Sequence, residues 1–300
     1  MGIKYKLQHW FEVVLFTFPA IILLTTFVVI PAVRTLSLSV MNSEGKFVGL
    51  ANFSDVLISK DILNLDRFPL QGPPWGAIPH NAIWILIHLP LVVSLGMTLA
   101  VLLKDVWGAS FIKSVIFLGM ITPMVVGGGI IRFIFDEHSG VVNALLRGVG
   151  LEQFVRSWTA YPDTALLALI LGSVILWTGF SLILYSSGLS TIPDELYEAA
   201  EVDGANPVQR FFYITIPLLK PVTITVVSMT LLWELKIFDL VYTATGGGPG
   251  GASTVLALRM YTLAFRALDS NRSAVIAVLI TALTLIVGVW LSRANRVDED

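Results

Sequence analysis

Apolar and polar positions alternate along this chain in long blocks rather than in short periods. Six apolar blocks stand out, at about 11–33, 82–103, 114–135, 164–186, 221–242 and 273–291. Each is about 20 residues long, the length a helix needs to cross the hydrocarbon core of a bilayer. A lone apolar segment satisfies its backbone in lipid only as a helix, so all six are expected to be helical. Pro19, Pro31, Pro90 and Pro123 fall in or near these blocks. Pro31 should loosen the exit of the first helix, and Pro90 and Pro123 should kink theirs.

The polar blocks between them are short. Residues 34–81 carry Phe-Val-Gly-Leu-Ala-Asn-Phe at 47–53 and the turn-rich Gln-Gly-Pro-Pro-Trp at 71–75. Residues 140–163 form a second excursion. A third, 246–272, opens on a run of glycines around Pro249. Beyond it Val255, Leu258, Met260, Leu263 and Phe265 suggest an amphipathic helix at the membrane interface. The tail from Arg293 to Asp300 is short and charged. No soluble domain and no internal repeat is apparent, so the chain reads as a single transmembrane domain over 1–300, an all-α membrane protein with six spans.

Composition agrees. The chain of 300 residues is 55% hydrophobic and 13% charged, about half the charge of a soluble domain. A net charge of −2 gives no basic field for nucleic acid. The absence of cysteine excludes disulfides, thiolate metal sites and a cysteine nucleophile. His9, His80, His88 and His138 are scattered and match no metal-ligand spacing, so each is read as solvated or structurally hydrogen-bonded. Lys4 and Lys6 precede the first apolar block, which is too long for a signal peptide core and lacks a small-residue cleavage pattern; it is expected to be a retained span. Charge does not orient the chain. With both termini inside, inner segments hold eight of the 19 lysines and arginines, and the rest lie largely in longer loops where the positive-inside rule is weak.

The polar block between the fourth and fifth apolar runs, 187–220, differs from the others. Thr191, Pro193, Asp194 and Glu195 make a helix start with negative charge in the first turn. Leu196, Ala199 and Ala200 share one face, and Gly204 is placed to stop the helix. Asn206-Pro207 can start a second helix, and Pro217 and Pro221 mark the approach to the fifth span. The product is a helix–turn–helix presenting small residues fringed with carboxylates, suited to a groove on another protein.

Glu198-Ala199-Ala200, Asp203-Gly204-Ala205 and Ile216-Pro217 resemble the EAA loop of binding-protein-dependent ABC importers. Segment 47–53, Phe238-Asp239, and Val241 to Pro249 with its glycines also resemble the carbohydrate-importing group of that family, typified by maltose and glycerol-phosphate permeases. The resemblance spans nearly the whole chain. The insert before Trp75 is less typical of the group. The resemblance implies the type I ABC importer permease fold, a multi-pass protein of the cytoplasmic (inner) membrane with both termini cytoplasmic. It also implies a non-catalytic subunit that pairs with a related permease subunit, two cytoplasmic ATPases and an extracytoplasmic sugar-binding protein. ATP and Mg²⁺ would belong to the ATPases, and no cofactor to this chain. Tyr197, Glu198, Ala199, Ala200, Asp203 and Gly204 are then the ATPase-coupling residues, with Glu198 the polar contact and Gly204 the turn.

Candidate path residues follow from composition within the spans. Charge there usually faces a cavity or a partner, which singles out Glu234 beside Lys236 and Asp239; the latter two, three apart, can pair. Sugars need flat apolar surface and hydroxyl partners. Trp177, Ser181 and Tyr185 share a face at i, i+4, i+8; Trp233 lies on the fifth span; Trp84 and His88 are four apart on the second. Interfacial anchoring and helix packing are the competing roles for each aromatic. Gly246, Gly247, Gly248 and Pro249 are expected to serve as a backbone-flexible gate or a binding-protein contact. Their spacing echoes a phosphate loop, but Ala252 stands where that loop needs lysine. A secondary carrier or channel working without an ATPase is the rival class, and gives the acidic loop no purpose. An intramembrane enzyme would need a catalytic constellation that the sequence lacks.

Overall fold

The computed structural model of the chain describes residues 2–296; the side chains of Lys4, Lys6, His9 and Arg296, and the tail beyond 296, lie outside the described residues. Helices dominate, and a bridge between Met41 and Phe47 is the β-type pairing among the described residues. α1 (Gly2–Leu24) passes through one π turn, Thr25–Val29, into α2 (Ile30–Ser39). The widened turn precedes Pro31, which has no N–H to give and would crowd the carbonyl one turn back. α3 (Ala51–Ile58) is short; α4 (Ala77–Leu102) carries Pro90 within a continuous helix. α5 (Ala109–Ile121), α6 (Met124–Ile134), α7 (Val141–Gly148) and α8 (Pro162–Leu189) follow. α9 (Asp194–Val202), α10 (Pro207–Arg210), a π turn at Phe211–Thr215, α11 (Ile216–Leu218) and α12 (Lys220–Glu234) lead to α13 (Asp239–Ala244), α14 (Leu256–Tyr261) and α15 (Ser270–Arg296).

The chain divides into two compact units, residues 1–57 with 260–279, and 58–259 with 280–300. In the first, the 47–53 segment works as a clamp. Asn52 Nδ2 donates to the carbonyls of Ser39 and Met41, closing the end of α2, and Asn271 Nδ2 donates to those of Leu38 and Met41. The side chains of Val13–Ser39 are almost all exposed, an apolar surface that in a membrane faces lipid or another chain.

The second unit is built around α8. Its buried residues lie on every side of the helix, the pattern of a helix wrapped by others. α4 and α5 pack most extensively on it. A Cβ on Gly96 of α4 would run into the Ser181 side chain of α8 and come within 3.0 Å of the Leu182 amide nitrogen. Small residues there let two backbones approach as membrane helices commonly do.

Among the described residues, four helices are long and apolar enough to cross a membrane: Val13–Ser39, Ala77–Leu102, Pro162–Leu189 and Ser270–Leu291. Two bent pairs bring the total to six when each counts as one span. The sequence suggested one kinked helix at 114–135; instead α5 and α6 meet at 107°. Thr122 and Pro123 are both extended (ψ 125° and 133°), because a residue before proline is pushed out of the helical region, so the chain turns a corner. The fifth span was expected over 221–242, but α12 ends at Glu234 and α13 restarts at Asp239, with Phe238 at φ −141°, ψ −62° between them. α12 instead pairs with residues 207–218 across a 67° bend. The expected amphipathic helix forms from Leu256 and continues through a π turn to Arg266, but Val255 to Leu258 are buried in succession rather than on one face.

Candidate functional site

Two places in the second unit gather the predicted residues. The first is the 187–220 loop. Pro193 is the N-cap of α9, and Asp194 and Glu195 lie in its first turn, where negative charge meets unpaired amides. The helix stops in a Schellman arrangement. The Ala205 N–H donates to the Ala200 carbonyl (2.9 Å) and the Gly204 N–H to that of Glu201 (3.0 Å), with Gly204 at φ +81°. α10 starts at once with a capping box between Asn206 and Gln209 and with Pro207 in the first turn. Loop and turn are thus set by local hydrogen bonds.

No residue of α9 is buried. Glu198, Ala199, Asp203 and Gly204 are exposed; Tyr197 and Ala200 are half-buried. Val202 and Tyr213 are 89% and 79% exposed, so apolar as well as acidic surface is offered outward. On its inner side α9 is held by polar struts. Lys104 Nζ, just past the end of α4, lies 3.0 Å from Asp194 Oδ1 and 4.9 Å from the Tyr197 ring centre. Tyr197 Oη is 3.0 Å from Thr215 Oγ1, and Arg210 pairs with Glu201 at 3.4 Å. The hydrogen bond to Asp194 raises the Lys104 ammonium pKa above its ordinary value. A cavity of about 340 Å³ lies behind the helix, among Lys104, Asp194, Tyr197, Arg210, Phe211 and Thr215.

The second place is a buried polar centre. Glu234, the last residue of α12, and His88 of α4 are both fully buried, with Oε1 and Nδ1 2.6 Å apart. Glu234 Oε2 and Trp84 Nε1 make no hydrogen bond. His88 Nε2 makes no well-formed one, although the Ser173 main chain is close enough to act on the ring. Trp233 stacks on Trp177 (centroids 4.5 Å apart, 16° between planes) and lies 5.6 Å from the His88 ring. Trp177 Nε1 donates to Thr230 Oγ1 at 3.0 Å.

Trp177, Trp233 and Glu234 therefore come together, with Trp84 and His88. Ser181 and Tyr185 lie further along α8, inside packed helix contacts: Ser181 against Gly96, and Tyr185 among Met97, Leu182, Leu219 and Val226, its hydroxyl donating to Thr223 Oγ1. Lys236 and Asp239 are exposed, and no ion pair joins them among the described residues. Sequence reasoning missed that His88 is the partner of Glu234 and that Lys104 holds the loop. The signal for the first was a titratable pair in two apolar runs; the second had none.

Above Glu234, Asn81 Nδ2 donates to the Glu234 carbonyl (3.1 Å), and its Oδ1 accepts from the Leu256 N–H (2.8 Å). His80 Nε2 accepts from the Trp75 N–H, so its Nδ1 carries the proton given to the Thr254 carbonyl at 2.8 Å. The glycine-rich loop is tightly cross-linked. Ser253 Oγ donates to the Gly248 carbonyl (2.7 Å), and Thr254 Oγ1 donates to that of Gly247 (3.2 Å). Gly246, Gly248 and Pro249 line a cavity of about 500 Å³ with Arg132, Asp136 and Thr159. The Ser139 amide and hydroxyl and the His138 amide hold the Asp136 carboxyl down at a pKa of about 2. No group of three or more potential metal ligands occurs among the described residues.

Residues 92–296 match the family described as binding-protein-dependent transport system inner membrane component. A probable ABC transporter permease protein of Pyrococcus horikoshii is 55% identical over 280 residues, covering 93% of this chain and 96% of that one. The lactose transport system permease protein LacF of Rhizobium radiobacter is 30% identical, covering 89% and 86%. Among solved structures, a bacterial ABC transporter involved in the import of the acidic polysaccharide alginate has a chain of the same fold (TM-score 0.80, 18% identity, 99% of each chain covered).

Proposed function

The chain belongs to the family of binding-protein-dependent transport system inner membrane components, and we propose that it serves there as one permease subunit of an ATP-driven carbohydrate importer. It is a multi-pass, non-catalytic inner-membrane component with the ABC importer permease fold. The observation that carries the finer reading is the α9–turn–α10 loop: a helix without a single buried residue, closed by its own hydrogen bonds. A solvated loop gains nothing from such order unless another protein grips it. The occupant we assign is a cytoplasmic ATPase that holds the nucleotide and Mg²⁺; this places the loop and both termini in the cytoplasm. A related second permease subunit completes the path, and an extracytoplasmic binding protein delivers solute on the side of the glycine-rich loop.

A sugar as cargo is supported by the stacked Trp177 and Trp233 beside the polar Glu234 and His88, flat apolar surface next to hydroxyl partners. The lactose permease among the relatives points the same way.

The test is a pull-down of the chain from mild detergent, with ATP hydrolysis assayed on the eluate. Hydrolysis should co-elute with the native chain and be lost in a Glu198→Lys, Gly204→Asp double variant. A chain that elutes without ATPase, under conditions that keep a known importer intact, would leave the secondary-carrier reading in its place.

A further inference from the structure

The coupling helix α9 is joined to its neighbours along the chain by covalent connections, through 190–193 to α8 and through α10 to α12. Lys104 gives it a third attachment, to α4. The ammonium engages the first turn of α9 twice, as an ion pair with Asp194 and over the face of Tyr197. Tyr197 in turn reaches Thr215, within the π turn that opens the fifth span. Beside these contacts lies the cavity of about 340 Å³. Tyr197 packs at the edge of the apolar cluster that includes Met97, Ala100, Leu103 and Leu189, and directional polar contacts fix the first turn of α9; the ionic contact, from just past the end of α4, is Lys104.

α4 runs without a break from His88 to Leu102, about 21 Å at 1.5 Å per residue, and Lys104 lies two residues beyond its end. A displacement of α9 transmitted to the end of α4 thus has a direct line to the His88–Glu234 contact.

We propose that Lys104 is a positioning residue for energy coupling: it fastens α9 to the second span, so that movement imposed on α9 by an ATPase also moves α4. This rests on the reading of α9 as the ATPase-docking helix. The alternative is an ion pair that is incidental to function, as many exposed pairs are.

The chain has no cysteine, so labels can be placed cleanly. Spin labels at Leu102→Cys, at the end of α4, and Val202→Cys, on α9, report the distance between the two helices in the complete transporter. It is measured with and without ATP and vanadate. With Lys104 in place, the distance should stay the same on trapping. Lys104→Gln should let it shift or broaden by at least about 2 Å, the scale of helix displacement in switching proteins. Lys104→Arg should restore the native behaviour, and so should the swap Lys104→Asp with Asp194→Lys. ATP hydrolysis is followed in the same samples. If the native chain's distance already changes on trapping, or Lys104→Gln behaves as the native chain does, the proposal is overturned. A loosened distance that neither Arg nor the swap restores also overturns it. A native complex without hydrolysis overturns the ATPase reading and Lys104's role together, whereas hydrolysis with an indifferent Lys104 overturns only the latter.

Discussion

His88 Nδ1 on α4 and Glu234 Oε1 on α12 lie 2.6 Å apart with neither side chain exposed to solvent, 146 residues apart in sequence. A contact of that length needs one proton between the two atoms. It ties the second span to the fifth at the point where α12 ends and the chain breaks before α13. Burying an acid with one oxygen unpartnered is costly.

Removing one member should therefore cost more than removing both. Glu234→Leu leaves an imidazole without its partner and should lower stability by roughly 3–5 kcal/mol, as for other broken buried pairs. Glu234→Leu combined with His88→Leu should recover much of that loss. Thermal unfolding of the native chain, Glu234→Leu, His88→Leu and the double variant in one detergent measures the coupling; additive losses would mean that the contact carries no energy of its own.

The α4–α8 crossing makes a steric prediction. Gly96→Ala places a methyl group against Ser181 and near the Leu182 backbone, and overpacking of this kind costs about 1–3 kcal/mol. Adding Ser181→Gly removes the side-chain part of the clash and leaves the backbone part. The double variant should melt between the native chain and Gly96→Ala. If Gly96→Ala melts like the native protein, the two helices are not pressed together at this point.

At Gly204 the constraint is conformational. An added Cβ meets nothing within 4 Å, but φ is +81°. Ala there should cost about 1–2 kcal/mol, and Asn less because it tolerates the left-handed region. ATPase co-elution should follow the order Gly, Asn, Ala, then Val. An order set by side-chain size alone would place the effect in the partner's groove instead.

The parts of this fold that were legible in sequence were those fixed by neighbours in the chain. The apolar runs of α4 and α8 are long and uninterrupted, and Pro193 and Gly204 mark the two ends of α9 while Asn206-Pro207 marks the start of α10. Pro123 announced a break but not its size, since a kink and a 107° corner differ only in whether Thr122 also leaves the helix. The end of α12 was hidden because Leu235, Ile237 and Phe238 continue the apolar run across the break. His88 with Glu234, and Lys104 with Asp194, are contacts between distant segments, and one sequence gives no measure of which distant residues meet.

The Asp136 turn predicts a pH response. Its carboxyl is held at about 2, below the ordinary 3.8, by the Ser139 amide and hydroxyl and the His138 amide. A lowered acid pKa contributes stability above the unfolded value, and that contribution fades as pH falls through the folded one. The turn, and the negative charge it sets beside the glycine-loop cavity, should persist at pH 4 and weaken toward pH 2. Carboxylate infrared absorption, with Asp136→Asn as the difference control, reads the titration. A midpoint near 4 would show that the three donors do not engage the carboxylate in solution.

Asn81 tests whether the polar centre is positioned from above. Its amide is 4% exposed and spans two backbones, giving a proton to the Glu234 carbonyl and taking one from the Leu256 N–H. Asn81→Ala strands the Leu256 N–H, at about 1–3 kcal/mol, and leaves the Glu234 carbonyl with the long contact from the Ile237 N–H at 3.4 Å. Asn81→Asp keeps the acceptor for Leu256 but, when ionised, sets a carboxylate oxygen against the Glu234 carbonyl, so it should be no better than Ala despite its matched shape. Asn81→Gln offers both functions on a longer stem and should fall between Ala and the native residue. The distinguishing measurement is hydrogen exchange at the end of α12. If Asn81 holds that end, Leu235 and Ile237 amides should exchange faster in Asn81→Ala while those in the middle of α8 stay protected. Uniformly faster exchange would mean global destabilisation and would remove Asn81 from any role in setting Glu234.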